Sequence, residues 1–455
     1  SNIDTLHPRA GRTGGGQFFP RQCSRRFIGG SMKVYSKRII RAVAVLLILA
    51  AVPLGGGCGL FSDSTVYAKT SEGNVSSDGF IYDLYENGEA EITGIKMAEC
   101  RLIIPDTVDA HPVTSVGRGA FRDNTTINYL TLGANVRRIG NEAFDGCATL
   151  IRVDGGASVT EIGASAFAYC QALCNVSLMP ELRTISDTAF FGCASLTEMP
   201  FADKLQSIGG QAFFGCVLLN EVKLPASFTF LGGAAFAECT SIAHAALGGL
   251  REIPDSAFNG CTSLISVELN KKTSSIGASA FRDCSRLKTL QIPDAISDIG
   301  CRAFEGTAWL AAHTEDFVIV GKGVLIRYNG TDPNVTVPGN VKEVADAFSG
   351  NMVVRSVTVG KHVKKIGEYA FSGCQGLGRV TISGATEIGT GAFTGCETLS
   401  VLYLPKSLTS IGKNAFSGCK NLRETNYADS RSAWQKITVG SGNTALSDVK
   451  YGQKP

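Results

Sequence analysis

The sequence lacks the motifs that accompany the commonest catalytic mechanisms. Its histidines His111, His244, His313 and His362 are scattered, and none stands in a His-Glu-x-x-His arrangement. A Gly-x-Ser-x-Gly elbow and a phosphate-binding loop are also missing, and Gly321-Lys-Gly323 is better explained as a hairpin turn. The histidines are therefore expected on the solvated surface. The chain is predicted not to be an enzyme and to hold no cofactor or metal.

The chain also lacks a strong overall charge. The formal net charge is +3, but residues 1–57 contribute nine Lys or Arg against Asp4 alone, so the remaining residues carry −5. A mildly acidic protein has no electrostatic footprint for nucleic acid. Nucleic acid is therefore not expected among its partners.

The most apolar stretch of the N-terminal region is too short to span a bilayer. The run from Ala42 to Val52 has eleven residues, whereas a membrane-spanning helix needs roughly 20. It follows Met32 and four Lys or Arg, as the apolar part of an export signal does. Residues 1–31, ahead of this first methionine, are interpreted as a mis-start or an expression remnant and are left out of the fold prediction.

Small residues and a cysteine follow the apolar run, in Pro53-Leu-Gly-Gly-Gly57-Cys58. This arrangement resembles the signal of bacterial lipoproteins, in which the cysteine is lipidated and becomes the new N-terminus. The resemblance implies that 32–57 is a removable signal and that Cys58 anchors the protein to a membrane. Cleavage by the ordinary signal peptidase is the alternative. Residues 58–78 are polar and aperiodic, which favours a flexible tether.

Phenylalanine recurs at a fixed spacing through the C-terminal three quarters of the chain. The intervals are 22 or 23 residues, with one gap of 44. The marker residues are Phe121, Phe144, Phe167, Phe190, Phe213, Phe236, Phe258, Phe281, Phe304, Phe348, Phe371, Phe393 and Phe416. Such a period is typical of solenoids, whose stacked units cannot bury their apolar faces alone. Within each unit, Leu-x-x-Val-x-Leu predicts a short strand, and Ile-Gly-x-x-Ala-Phe-x-x-Cys predicts a return segment of short helical or 3₁₀ turns.

Departures from the period divide the array into parts. The turn Glu86-Asn87-Gly88-Glu89 between alternating apolar runs predicts a hairpin, within an N-terminal cap at 79–112. Repeats at 113–306 (block 1) and 335–423 (block 2) flank a second predicted hairpin, the island at 307–334. Residues 424–455 are expected to cover the C-terminal end of the array, because an uncapped terminal repeat would expose core and strand edge.

Fifteen cysteines behind an export signal first suggest a disulfide framework. Ten of them lie three residues after a marker phenylalanine, namely Cys147, Cys170, Cys193, Cys216, Cys239, Cys261, Cys284, Cys374, Cys396 and Cys419. This placement favours one inward column of small side chains, with disulfides or a metal site as the weaker alternative. Cys170-x-x-x-Cys174 has no second pair or nearby histidine to complete a metal site.

The repeat Leu-x-x-Val-x-Leu-Pro…Ile-Gly-x-x-Ala-Phe-x-Gly-Cys, in thirteen copies, resembles the BspA-like leucine-rich repeats of bacterial cell-surface proteins. The resemblance covers about 79–452 and implies a leucine-rich repeat solenoid. It also implies an exported protein, because family members are mostly exported and several act in adhesion to host or bacterial proteins. The family has no shared catalytic residues to carry over.

The outward residues of the predicted strands vary from turn to turn, whereas the inward residues do not. A solvated face is the simplest interpretation, and a protein-binding surface is the functional one. Glu198, Glu221 and Glu268 are expected to form an acidic flank. The island aromatics are an alternative contact, namely Trp309, Phe317 and Tyr328. The candidate binding residues are Tyr129, Arg152, Asp154, Glu198, Glu221, Lys223, His244 and Glu268.

Two functional hypotheses remain open from the sequence. The first is a lipid-anchored or secreted protein that binds proteins of the host or of neighbouring bacteria. The second is a periplasmic module with a structural or small-ligand-binding role. The export signal is compatible with both, since it delivers either protein across the inner membrane.

Overall fold

A computed structural model describes residues 67–453. These residues form a parallel β-solenoid of about 16 turns with almost no helix. The leucine-rich repeat solenoid predicted from the period is thus confirmed. Each turn contributes one strand to a first ladder, which carries the Leu-x-x-Val-x-Leu segments, and a two-residue strand to a second ladder on the return.

A small sheet covers the N-terminal end of the solenoid. Its antiparallel strands are β1 (Lys69–Val75), β2 (Phe80–Tyr85) and β3 (Ala90–Ile95), and β3 lies parallel to β6 (His111–Val116), which β5 (Thr107–Val108) flanks. The tether predicted at 58–78 is wrong from residue 69 onward. The reason is a buried carboxylate: Lys69 Nζ lies 2.8 Å from Asp83 of β2, and the Gly73 N–H donates to the same carboxylate.

The first ladder of block 1 runs in two pieces. The first piece comprises β4 (Arg101–Ile103), β7 (Tyr129–Leu132), β9 (Arg152–Gly155) and β11 (Asn175–Val176), and the second comprises β14 (Glu221–Lys223), β16 (His244–Ala246), β18 (Ser266–Glu268) and β20 (Thr289–Leu290). The break falls at 197–200, where Pro200 occupies the position of Ser177. The Ser177 N–H donates to the Val153 carbonyl at 2.9 Å, and proline has no N–H to repeat that bond.

The second ladder continues the sheet of the cap and also has one break. Its strands in block 1 are β8 (Arg138–Ile139), β10 (Glu161–Ile162), β12 (Thr184–Ile185), β13 (Ser207–Ile208), β15 (Phe230–Leu231), β17 (Glu252–Ile253), β19 (Ser275–Ile276) and β21 (Asp298–Ile299). Gly232 donates to the Ile208 carbonyl at 2.8 Å. Pro254 holds the equivalent position one turn later, so β15 and β17 are not paired.

The return segment differs in part from the helical turns that the repeat pattern predicts. Alternate backbone N–H groups just beyond the second ladder donate to the next repeat, as Glu142 does to the Ala164 carbonyl at 2.8 Å and Phe144 to the Ala166 carbonyl at 2.7 Å. The groups between them donate three residues back, as in isolated 3₁₀-type turns: Ala143 to Gly140 at 3.2 Å and Asp145 to Glu142 at 3.1 Å. Glu142 has a φ of 59°, outside the helical region. Bonding between repeats therefore alternates with bonding within these short turns.

Two inward columns fill the solenoid. Ring centroids of successive marker phenylalanines are 5.2–6.0 Å apart from Phe121 to Phe304 and 4.8–5.1 Å apart from Phe348 to Phe416. The ten column cysteines are buried and unpaired by disulfides. Each Sγ donates to the carbonyl of a marker phenylalanine one turn back, at 2.9–3.3 Å. The placement fits the predicted inward column of thiols.

The island joins the two blocks. It consists of helix α1 (Ala308–Ala311) and the antiparallel pair β22 (Phe317–Val320) and β23 (Val324–Tyr328). The prediction that the island aromatics present an apolar contact is wrong for Trp309 and Tyr328, which are each only 7% exposed, whereas Phe317 is half-buried. Trp309 packs on Phe304 and Tyr328 packs on Phe348, with centroids 4.8 and 5.0 Å apart. Trp309 therefore extends the aromatic stack of block 1, and Tyr328 extends that of block 2.

Block 2 has two unbroken ladders. The first contains β24 (Asn334–Thr336), β26 (Ser356–Val359), β28 (Arg379–Ile382), β30 (Val401–Leu404), β32 (Glu424–Tyr427) and β34 (Val449–Tyr451). The second runs from β23 through β25 (Glu343–Val344), β27 (Lys365–Ile366), β29 (Glu387–Ile388), β31 (Ser410–Ile411) and β33 (Thr438–Val439). Helix α2 (Arg431–Trp434) sets Trp434 against Tyr427 at the C-terminal end, and a 3₁₀ turn at Thr444–Leu446 follows. Within 67–453, no helix is long and apolar enough to cross a membrane.

Candidate binding face

The outward side chains of the first ladder in block 1 form a face that we call the strand face. Successive side chains of a strand point to opposite sides of the sheet. Leu130 and Val153 therefore point into the core and are fully buried, whereas their neighbours Tyr129 and Arg152 are exposed. Parallel pairing then places residues one turn apart side by side. The strand face therefore presents ordered columns of side chains roughly 4.8 Å apart.

Three of the predicted residues come together at the N-terminal end of the strand face. Tyr129 is paired with Arg152 in the sheet register. Arg152 Nε lies 2.6 Å from Asp154 Oδ1, and Ser177 Oγ donates to the same carboxylate oxygen at 3.1 Å. On the other side, the Arg101 guanidinium lies over the Tyr129 ring, 5.4 Å from its centroid. This cluster holds an aromatic ring between two arginines.

The other predicted residues lie on the far side of the break at Pro200. Glu221 and His244 are register partners, and His244 Nδ1 is 2.8 Å from Ser266 Oγ. Lys223 and Glu268 occupy the next column and are separated by Ala246. Glu198 is exposed on the segment that forms no strand. The three glutamates therefore do not line up in one acidic column.

Sequence reasoning missed two parts of this face. Arg101 and Ile103 of β4 stand next to Tyr129 and Thr131, and Ile103 is 56% exposed. Block 2 also has an arginine over a tyrosine ring, since the Arg379 guanidinium lies 4.9 Å from the centroid of the Tyr403 ring. Both were detectable in the sequence by extending the strand columns beyond the first block of regular repeats.

A shallow recess lies beside the cap. It has a volume of about 190 Å³ and is lined by Glu89, Pro112, Thr114, Asn135, Arg137 and Ser158. Glu89 is already engaged, since it accepts a hydrogen bond from Thr114 Oγ1 and pairs with Arg137. Small-molecule sites usually occupy roughly 300–1,000 Å³, so this recess is small for a ligand pocket.

An ion cluster bridges the two blocks at the second ladder. Lys365 Nζ lies 2.5 Å from Asp298 Oδ1 of block 1 and 3.0 Å from Glu343 Oε1 of block 2. Burial raises the pKa of Glu343 to about 8, although the nearby Lys365 acts in the opposite direction.

Across residues 67–453, no group of His, Cys, Asp and Glu is arranged to hold a metal ion. Cys58, the predicted lipidation site, lies outside the described residues.

Comparison with protein families gives one match. The model of the BspA type leucine rich repeat region matches in six copies, over residues 101–204, 183–310 and 330–438. No curated protein sequence matches the chain.

Several solved structures have a similar fold. A leucine-rich repeat protein from Bacteroides ovatus is 22% identical, covering 80% of this chain and 98% of its own, with a TM-score of 0.44. A leucine rich cell surface protein from Faecalibacterium prausnitzii is 25% identical, covering 83% and 99%, with a TM-score of 0.39. A leucine rich repeat protein of T. pallidum is 28% identical, covering 48% and 91%, with a TM-score of 0.38.

Proposed function

Because the chain belongs to the BspA-type leucine-rich repeat family, we propose that it is an exported adhesion module whose strand face binds a protein of a host or of a neighbouring bacterium. The family supports a protein-interaction or adhesion module and indicates no catalytic family. Binding through a folded surface also suits a solenoid, whose repeats present side chains in a long regular array.

The observation that carries this proposal is the cluster of Arg101, Tyr129 and Arg152. Tyrosine and arginine are enriched among the residues that dominate interface energetics. Here both arginines flank an exposed ring on one continuous sheet, so little side-chain freedom remains to be lost on binding. Glu221 and Glu268 would favour a partner with a basic patch and raise its association rate.

A matched pair of variants tests the face. The Tyr129→Ala/Arg152→Ala protein should bind intact host or bacterial cells about tenfold more weakly than the parent, because both anchors are removed. Arg379→Ala/Tyr403→Ala removes the equivalent pair from block 2 and should bind normally. Treating the target cells with protease should abolish binding of the parent. Equal binding by all three proteins, or binding that survives protease treatment, would contradict the proposal.

Attachment to the membrane forms the second part of the proposal. Lipid chains on Cys58 would supply membrane affinity without a spanning helix. The parent should therefore partition into the detergent phase, and Cys58→Ala should not. A Cys58→Ala protein that still partitions would rule out this anchor.

Exposure at the cell surface distinguishes this proposal from a periplasmic structural or small-ligand-binding module. Protease added to intact cells should release fragments of the solenoid if the protein faces outward. Protection of the whole chain until the cells are lysed would favour the periplasmic alternative.

A further inference from the structure

The connections from the first ladder to the second lie along one edge of the solenoid. Each is a tight turn closed by a backbone hydrogen bond, as from Thr273 N–H to the Asn270 carbonyl at 2.9 Å and from Leu408 N–H to the Pro405 carbonyl at 3.2 Å. The residues at the tips of these turns point away from both ladders. They therefore form a surface separate from the strand face.

From residue 271 onward this edge is strongly basic. Asp294 is the single acidic residue at the turn tips between 270 and 408. Exposed lysines lie at these tips and at the positions directly after them. Lys272 is one of them, and we call the other six the basic edge: Lys271, Lys322, Lys342, Lys361, Lys364 and Lys406. Earlier turns differ, since Lys204 is paired with Glu181 at 2.6 Å and Arg137 with Glu89.

Backbone bonds hold the basic edge in register. Lys342 N–H donates to the Gly323 carbonyl at 2.8 Å, and Lys364 N–H donates to the Lys342 carbonyl at 2.7 Å. The next turns follow with Thr386 bonded to Lys364 and Thr409 bonded to Thr386. Six ladder steps separate Lys271 from Lys406, so the row extends over roughly 29 Å at the usual strand spacing.

Within the part of the chain that the structure describes, these cations have no acidic partner. Among residues 67–453, none of the six lysines of the basic edge forms an ion pair, and Lys364 Nζ instead donates to the Lys361 and Gly384 carbonyls. Two acidic residues of the same turns, Asp298 and Glu343, lie on the second ladder and are engaged by Lys365, whereas Glu387 is exposed on that ladder. A row of like charges at this spacing is self-repelling, and an anion laid along it would relieve the repulsion.

We propose that the basic edge binds a linear acidic polysaccharide that carries sulfate or carboxylate groups along its length. A straight row of single positive charges matches a chain of regularly repeated negative charges. Exposed Asn340 and Thr409 lie in the same row and offer hydrogen bonds to sugar hydroxyls. Nucleic acid is disfavoured, because these turn tips contain no Phe, Tyr or Trp and His362 is their single ring on which a base could stack.

The test uses the full-length chain and a size-defined heparin oligosaccharide as the probe. Lys361→Gln/Lys364→Gln/Lys406→Gln should weaken binding by about tenfold or more and lower the dependence of log Kd on log salt by about two. The matched control Lys96→Gln/Lys288→Gln/Lys436→Gln removes the same charge from exposed positions elsewhere and should bind within about twofold of the parent. Every protein carries the same basic residues in 1–57, so these cannot cause a difference.

Three outcomes would overturn the proposal. The first is equal affinity of the two triple variants for heparin, which would show that binding depends on the net charge of the protein and not on the position of the lysines. The second is equal binding of a neutral polysaccharide such as dextran. The third is tighter, edge-dependent binding of a single-stranded DNA homopolymer of the same length and charge, which would assign the edge to nucleic acid. Circular dichroism melting of both variants distinguishes lost binding from lost folding, and Tyr129→Ala/Arg152→Ala should retain heparin binding.

Discussion

The two blocks stack the same kind of repeat, but their backbone ladders and ring spacings differ in regularity. In block 1 both ladders are interrupted, at Pro200 and at Pro254, and the spacing of the marker rings widens to 6.0 Å at Phe281 and Phe304. In block 2 both ladders are continuous and the ring spacing stays at 4.8–5.1 Å. Yet the Phe190, Phe213 and Phe236 rings remain stacked at 5.2 Å between the two interruptions. At each interruption the other ladder remains paired, and backbone bonds such as Phe190 N–H to the Ala212 carbonyl at 2.7 Å and Phe236 N–H to the Ala257 carbonyl at 2.9 Å still join the turns, so no single ladder has to be unbroken to keep the repeats in register.

The strongest test of this comparison removes one ring from each block. Phe213→Ala and Phe393→Ala should each lower the free energy of unfolding by about 3–5 kcal/mol, because both rings are fully buried. Chemical denaturation measures the loss. Hydrogen exchange should then rise mainly in the turns next to the substitution, since repeats interact with their nearest neighbours. A uniform rise through residues 67–453 would show that the two blocks unfold as one unit.

The second test concerns the junction between the blocks. The pKa of Glu343 is about 8 in the folded protein because of burial, against an ordinary value of 4.5. The stabilising contribution of the protonated form is therefore complete below about pH 4.5 and is lost as the pH rises through about 8. Glu343→Gln should stabilise the protein by roughly 2–4 kcal/mol at pH 9 and change little at pH 5.

A control for this variant is available on the same ladder. Glu387 is exposed on β29, two strands from Glu343. Glu387→Gln should leave the free energy of unfolding at pH 9 unchanged, because it removes no buried carboxylate. If Glu343→Gln has no effect at pH 9, the ion cluster with Lys365 keeps Glu343 ionised and the assigned protonation is wrong.

A third test compares the cysteine column in the two blocks. Cys216→Ala and Cys396→Ala each remove a thiol that donates to a carbonyl, at 3.3 and 3.0 Å respectively. Each variant should lower the free energy of unfolding by about 1–2 kcal/mol, measured by chemical denaturation.

The reactivity of the column thiols gives a separate test. In the folded parent, Cys216 should react slowly with thiol reagents, because burial raises its pKa well above the ordinary value. Exposed Cys100 is the positive control. Rapid labelling of Cys216 without denaturant would count against a rigid inward column.

The smallest expected effect comes from repairing a ladder. Pro200→Ser restores an N–H at the break and should stabilise block 1 by up to about 1 kcal/mol, partly offset by the greater freedom of the unfolded chain without proline. Pro225→Ser is the control, because Pro225 follows β14 and interrupts no ladder. Thermal unfolding of both variants should show a gain for Pro200→Ser alone. A gain for neither would mean that the break has another cause.

The period of the marker phenylalanines was enough to predict the solenoid, because inward positions repeat with fixed chemistry. It did not predict the second ladder, since a two-residue strand such as Ser207–Ile208 finds its partners 23 residues away on either side. The strand Lys69–Val75 depends on the buried Asp83, and no local pattern reports such a pairing. Tyr129 and Arg152 were predicted as binding residues from the sequence, whereas Arg101 was not, because β4 precedes the regular repeats.

The bonding of each turn to its two neighbours also has a mechanical consequence. If the protein is anchored near its N-terminus and held through the basic edge, the turns between these two points carry tension along the chain, and turns of this kind would detach one after another. Each released turn of about 23 residues would add up to roughly 75 Å of extended chain. An adhesion protein built in this way would lengthen under flow in steps and dissipate the load, while the turns that remain folded keep their columns of side chains in place.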